Sequence, residues 1–153
     1  MRSVVLAVAA AAACACGSDS GEPTRLFPAD YAASYTAVRS CRGSPDHDLN
    51  NVRVLADPAG ADAYRLRDRP FPIGAIVIKE EHGFGDTSCT GAVVSWTVMV
   101  KLAAGSSPST LDWHWQKVDA DRTVITDNEP RCYGCHTTCG VAPDGYDGTC
   151  TVP

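Results

Sequence analysis

Hydrophobic residues fall along this chain in short bursts rather than in long helical faces. The first burst, residues 4–13, follows Met1-Arg2-Ser3. It is too short to span a bilayer, and a positive start before an apolar run has the form of an export signal. Over residues 28–38, Tyr31, Tyr35 and Val38 recur at three-to-four spacing behind a proline suited to a helix start, which predicts a short helix. Residues 51–56 alternate as a strand. Asp57-Pro58 then offers an N-cap and a first-turn proline for a brief helix over residues 59–67. Pro70 to Gly74 breaks the chain, and the β-branched run at residues 75–79 predicts a buried strand, with residues 82–88 as a loop. Residues 92–102 form the longest strand-like stretch. Residues 105–109 turn it back into residues 111–118 as an antiparallel hairpin, and a further short strand is expected over residues 123–125.

Helix, strand, helix and then several strands predict an α+β fold, mainly an antiparallel β-sheet with short flanking helices. At 153 residues, 44% hydrophobic and 20% charged, the chain has room for one ordinary domain with a real core, placed here at residues 26–153. Residues 17–25 are polar and glycine-bearing, the composition of a flexible tether.

Small residues surround two cysteines at the end of the leader, in Ala13-Cys14-Ala15-Cys16-Gly17-Ser18. This resembles a lipoprotein processing site, although the usual leucine three positions before the cysteine is absent. Cleavage before Cys16 leaves six further cysteines, whereas cleavage before Cys14 leaves an unpaired one, so Cys16 is the expected lipid carrier and a membrane the expected partner through it. Loss of Arg2 then leaves 12 basic against 18 acidic residues, a net charge of −6, which argues against nucleic acid as a partner. Export to a periplasmic setting also permits disulfides among Cys41, Cys89, Cys139 and Cys150. Of the three pairings four cysteines allow, Cys139 with Cys150 and Cys41 with Cys89 are expected.

The strongest chemical signal is Cys132-Tyr133-Gly134-Cys135-His136, the attachment pattern of haem c. Two thiols reach the two vinyl groups, and the adjacent histidine is delivered to the iron as its proximal ligand. A zinc site or a Cys132–Cys135 disulfide are the competing readings, with Cys139 extending the motif to C-x₂-C-x₃-C. Residues 137–153 contain neither methionine nor histidine, which excludes an ordinary small cytochrome c with its motif near the N-terminus and a methionine ligand downstream. A helical-bundle cytochrome fits poorly, because the chain before the motif is β-branched and turn-rich.

Four segments in order, Leu26-Phe27-Pro28-Ala29-Asp30-Tyr31, Val54-Leu55-Ala56-Asp57-Pro58, Phe71-Pro72-Ile73-Gly74-Ala75-Ile76-Val77-Ile78-Lys79-Glu80 and the late haem motif, resemble the cytochrome P-460 family. The resemblance implies a mainly antiparallel β fold, one covalently bound haem c, an iron often open on its distal side, and members that oxidise hydroxylamine or bind nitric oxide. It also implies that related proteins are often homodimers. Lys79 matches the lysine that hydroxylamine-oxidising members bond to the haem edge, so it is a candidate third covalent link and a candidate catalytic residue. The distal carboxylate of those members has no counterpart on residues 92–101, where Thr97 or a neighbour takes its place. Their distal arginine matches Val52, with Arg53 one residue along and therefore on the other face of a strand.

His47, His82, His114 and Met99 are further candidates for the sixth iron ligand, and Trp96, Trp113 or Trp115 could flank the haem. Two functions follow as expectations. The first is binding or oxidation of a small nitrogen compound at an open iron; the second is a non-enzymatic protein that binds a diatomic gas or passes electrons to an unidentified redox partner. A haemless disulfide or zinc module is the third reading.

Overall fold

The computed structural model describes residue 21 and residues 23–150; the export signal, Cys16 and most of the tether lie outside them. Six strands follow one another in chain order across a single sheet, β1 (Thr36–Gly43), β2 (Asn51–Ala56), β3 (Ile76–His82), β4 (Val93–Lys101), β5 (Trp113–Asp119) and β6 (Val124–Asp127). Every neighbouring pair is antiparallel. Among the described residues three short helices accompany them, α1 (Tyr31–Ser34), α2 (Ala61–Leu66) and α3 (Pro130–Cys139), with a 3-10 turn at Pro108–Thr110. The α+β architecture expected from the pattern is the one observed. Among the described residues no helix is long and apolar enough to cross a membrane.

The strand at residues 51–56 has the predicted bounds, but the helix over residues 28–38 is corrected to the four residues of α1. Tyr35 already has extended backbone, and Thr36 begins β1 opposite Ala56. The spacing of Tyr31, Tyr35 and Val38 is met by one helical turn followed by a strand, and β-branched Thr36 and Val38 suit the ladder. The second helix lies inside its predicted range but starts late. Asp57 does not cap it; its Oδ1 accepts the backbone N–H of Gly60 at 2.8 Å and of Ile76 at 3.1 Å, tying the turn to β3. β3 runs on to His82, into residues read as loop. α3 was not predicted at all.

Alternation gives the sheet two buried faces. On one, Val52, Val54, Ala56, Val77, Met99, Trp113 and Trp115 meet Tyr64 of α2, Phe71 and, from α3, Cys132 and Tyr133. On the other, Leu55, Ile78, Trp96, Val98 and Val118 meet Phe27 and Tyr31 beside α1. This second face is closed by polar bonds as well. Glu80 accepts the Tyr31 hydroxyl at 2.6 Å and pairs with Arg53 at 2.6 Å, Trp96 Nε1 donates to the Tyr31 oxygen at 2.8 Å, and the Arg122 guanidinium lies 4.1 Å over the Trp96 ring. Two disulfides form with the expected pairing, Cys41–Cys89 and Cys139–Cys150.

Candidate functional site

α3 carries the cysteine motif. Pro130 opens it, Gly140 follows its end, and the Glu129 carbonyl accepts the Cys132 N–H at 3.0 Å. With three cysteines, two threonines and a glycine in ten residues its intrinsic helix preference is low, so packing against the sheet must hold it. One helical turn separates Cys132 and Cys135, which remain free thiols. His136, next along, is buried.

His136 is oriented by the backbone. Its Nδ1–H donates to the Gly148 carbonyl at 2.5 Å, which fixes the tautomer and leaves the Nε2 lone pair facing inward. Gly148 has φ +87, and a Cβ there would lie 2.6 Å from Trp113 Nε1, so the position needs glycine on both counts. The loop presenting it is anchored by the Cys139–Cys150 bridge and by Asp147. That residue's carboxylate takes Lys101 Nζ at 2.5 Å and the Phe71 N–H at 2.9 Å, and its carbonyl takes Trp113 Nε1 at 2.8 Å. The Trp115 ring stands 4.5 Å from the imidazole. Burial, then the charge of Lys79, pushes the His136 pKa down to about 3, so the ring is neutral and its Nε2 carries an unprotonated lone pair.

Between α3, the sheet and the loop at residues 44–50 lies a cavity holding roughly 1020 Å³ of space between atoms, part of it open to solvent. Across its floor the register sets Val54, Lys79, Thr97 and Lys117 side by side on four strands. Lys79 Nζ reaches 3.4 Å from His136 Nε2 and 2.8 Å from His47 Nε2. Burial, followed by the neighbouring Arg39, lowers its pKa to about 8. Thr97, directly opposite Lys79, has a buried hydroxyl with no partner and lines the cavity where a carboxylate was sought.

A carboxylate does serve this face, from β3 rather than β4. Glu81 lies two residues beyond Lys79, hence on the same side of the pleat. Its oxygens accept His47 Nδ1–H at 3.0 Å, the Ser95 hydroxyl at 2.6 Å and Asn50 Nδ2 at 3.4 Å. Burial alone would raise its pKa, but the bonds from His47 and Ser95 outweigh that and pull it down to about 2. On His47, burial and then Lys79 hold the imidazole below its ordinary value against the pull of Glu81. A continuous chain of contacts therefore runs from Glu81 through His47 and Lys79 to His136.

The other candidates separate by face. Met99 and His47 line the cavity. His82 points to the opposite side, within 3.2 Å of Asp86 and 3.8 Å of Glu80, and His114 is held by Asp127 at 2.7 Å, so neither enters it. Of the tryptophans, Trp115 flanks the site, Trp96 belongs to the far face, and Trp113 packs on Phe71. Val52 lines the cavity while Arg53 turns away to Glu80; buried Arg39 of β1 and Arg131 of α3 are the arginines that line it. Cys139 is oxidised with Cys150, and among the described residues no three His, Cys, Asp or Glu side chains are grouped to hold a metal ion, which leaves the zinc reading without its cluster. Sequence reasoning named His47 but missed Glu81 and Arg39. Alternation from Lys79 would have put Glu81 on the right face; nothing in the sequence placed the loop over it.

Two free thiols one turn apart, a neutral buried imidazole with its outer nitrogen anchored, an unpartnered hydroxyl and the apolar walls of Val52, Met99 and Trp115 suit a haem bound through Cys132, Cys135 and His136. A family model described as Cytochrome P460 matches residues 28–142. No curated protein matches the chain.

Proposed function

Because the chain belongs to the cytochrome P460 family, which implies a haem cofactor, we propose that it is an exported monohaem c-type cytochrome that binds or oxidises hydroxylamine or nitric oxide. The observation that carries this reading is the convergence on one cavity of the Cys132, Cys135 and His136 motif with Lys79, which lies 57 residues before His136 in sequence. Haem supplies an iron that coordinates a small ligand and exchanges electrons with it. The protein's part is binding and orientation. Cys132 and Cys135 would hold the haem through thioether bonds, each thiol S–H taken up across one vinyl group. His136 would offer Nε2 to the iron, its basicity raised by the Gly148 carbonyl that accepts its Nδ1–H.

Lys79 is the residue for a third link, because β3 delivers its amine to the same end of the cavity as His136. The carboxylate-free strand β4 favours a second reading, in which the haem only binds a gas or passes electrons to a partner protein. Export, with a lipid on Cys16 facing the periplasm, is supported by the leader sequence and by two disulfides, which persist in oxidising compartments.

The test is an intact mass and a denatured, reduced optical spectrum of protein matured with cytochrome c assembly machinery, beside Lys79→Ala. One haem adduct with a spectrum that changes in the variant supports the lysine link and hydroxylamine chemistry. An unchanged, ordinary c-type spectrum favours gas binding or electron transfer, and absence of haem overturns the proposal.

A further inference from the structure

We propose that Asp147, held by Lys101, is the positioning residue of the proximal ligand: it sets the turn that aims the Gly148 carbonyl at His136 and thereby holds the haem's reduction potential down. The inference rests on the proposed function and adds to it a device that lies past residue 142, where the family match ends.

Three observations carry it. First, Asp147 stands between the sheet and the partner of His136. The His136 Nδ1–H donates to the Gly148 carbonyl at 2.5 Å. One residue earlier, the Asp147 carboxylate accepts Lys101 Nζ at 2.5 Å and the Phe71 N–H at 2.9 Å, and the Asp147 carbonyl accepts Trp113 Nε1–H at 2.8 Å. Second, the turn is strained. Asp147 has φ +42 and Gly148 φ +87, two left-handed residues in succession, and a residue with a Cβ adopts that conformation only where its surroundings hold it there. Third, Lys101 is a fixed point. It ends β4 directly opposite Trp113, its N–H donates to Ala75 at 2.9 Å and its carbonyl accepts the Gly74 N–H at 2.8 Å. The residue is 8% exposed, and its amine lies 4.9 Å over the Trp113 ring.

The other fastenings of this loop do a different job. The Cys139–Cys150 bridge closes it at its ends, and the Gly148 N–H donates to the Gly140 carbonyl at 2.9 Å, which returns the chain to α3. Neither fixes the direction of the Gly148 carbonyl, which the turn at Asp147 sets. A carbonyl that accepts Nδ1–H pushes electron density toward Nε2, and a more donating imidazole favours ferric over ferrous iron. Loosening the turn therefore raises the potential.

The experiment takes haem-loaded protein, its adduct confirmed by intact mass, and measures the midpoint potential and the solvent exchange rate of the His136 Nδ1 proton by NMR in wild type, Lys101→Met, Lys101→Arg and Asp147→Asn. Lys101→Met decides the matter. Loss of a positive charge acting through space lowers the potential, whereas loss of positioning raises it. We expect a rise of about 59 mV, a ten-fold change in the one-electron equilibrium, together with faster exchange of the proton. Lys101→Arg, which keeps the cation, should stay near wild type, and Glu80→Ala, which loosens the opposite face of the sheet, should move neither reading. A lowered or unchanged potential in Lys101→Met overturns the inference and leaves the proposed function standing. If Lys101→Met does not fold, Asp147→Asn, which keeps an acceptor for the Phe71 N–H, is read by proton exchange alone: faster exchange supports the inference and an unchanged rate overturns it. Wild-type protein that takes up no haem overturns both.

Discussion

Glu80 and Glu81 are neighbours in sequence and equally hidden, with 2% and 0% of their side chains exposed, yet they serve opposite sides of the sheet. Glu80 binds Tyr31 and Arg53 in a closed network under α1, every group of which is part of the fold's own fastening. Glu81 binds a histidine whose other nitrogen opens on the cavity. The strand's period of two turns one acidic dipeptide into a fastener and a piece of the site. Burial alone does not tell them apart; what lies beyond the first hydrogen-bond partner does.

Removing the cavity face's anchors has the largest effect. Cys132→Ala together with Cys135→Ala should abolish the covalent haem adduct in the intact mass, while the circular dichroism of the sheet persists. Next comes Glu80→Ala, which strands Tyr31 and Arg53 and should cost about 3 kcal/mol in urea denaturation, less than a fully buried pair because Arg53 is partly exposed, with the haem spectrum unchanged.

Acid and alkali separate the faces further. Glu81, with a folded pKa of about 2 against 4.5, stabilises the protein above pH 4.5, and that contribution is lost as pH falls toward 2. Tyr31 is raised to about 12 by burial and then by its bond to Glu80; its contribution is complete below pH 10 and is lost as pH rises toward 12. Thermal melts across pH should lose the acid limb in Glu81→Gln and the alkaline limb in Tyr31→Phe. The smallest change is Lys117→Ala, whose half-exposed pairing with Asp48 is worth about 0.5 kcal/mol in a melt at low salt.

The sheet was legible where strand periodicity and turn residues agreed, as at residues 51–56 and in the pair now seen as β4 and β5. It was misread at β1, whose apolar spacing is ambiguous between a helix and a turn leading into an irregular edge strand with register shifts. α3 left no periodic trace because its residues are chosen for chemistry rather than for helix packing. That same chemistry made Cys132, Cys135 and His136 the plainest candidates in the sequence, and Lys79 became a candidate through family resemblance. The partners that orient them were not legible. The Gly148 carbonyl has no side-chain signature, and the approach of His47 to Glu81 depends on how residues 44–50 fold back over the sheet.

The bridge between Cys139 and Cys150 bears on biogenesis as well as on geometry. Cys139 sits one turn beyond Cys135 on the same helix, close enough in sequence to compete for it as a thiol partner. By pairing with Cys150 it withdraws from that competition, so that one short helix carries two reduced thiols beside an oxidised neighbour. Among the six cysteines of the described residues, Cys150 is thus the one whose pairing leaves Cys132 and Cys135 to each other or to a ligand.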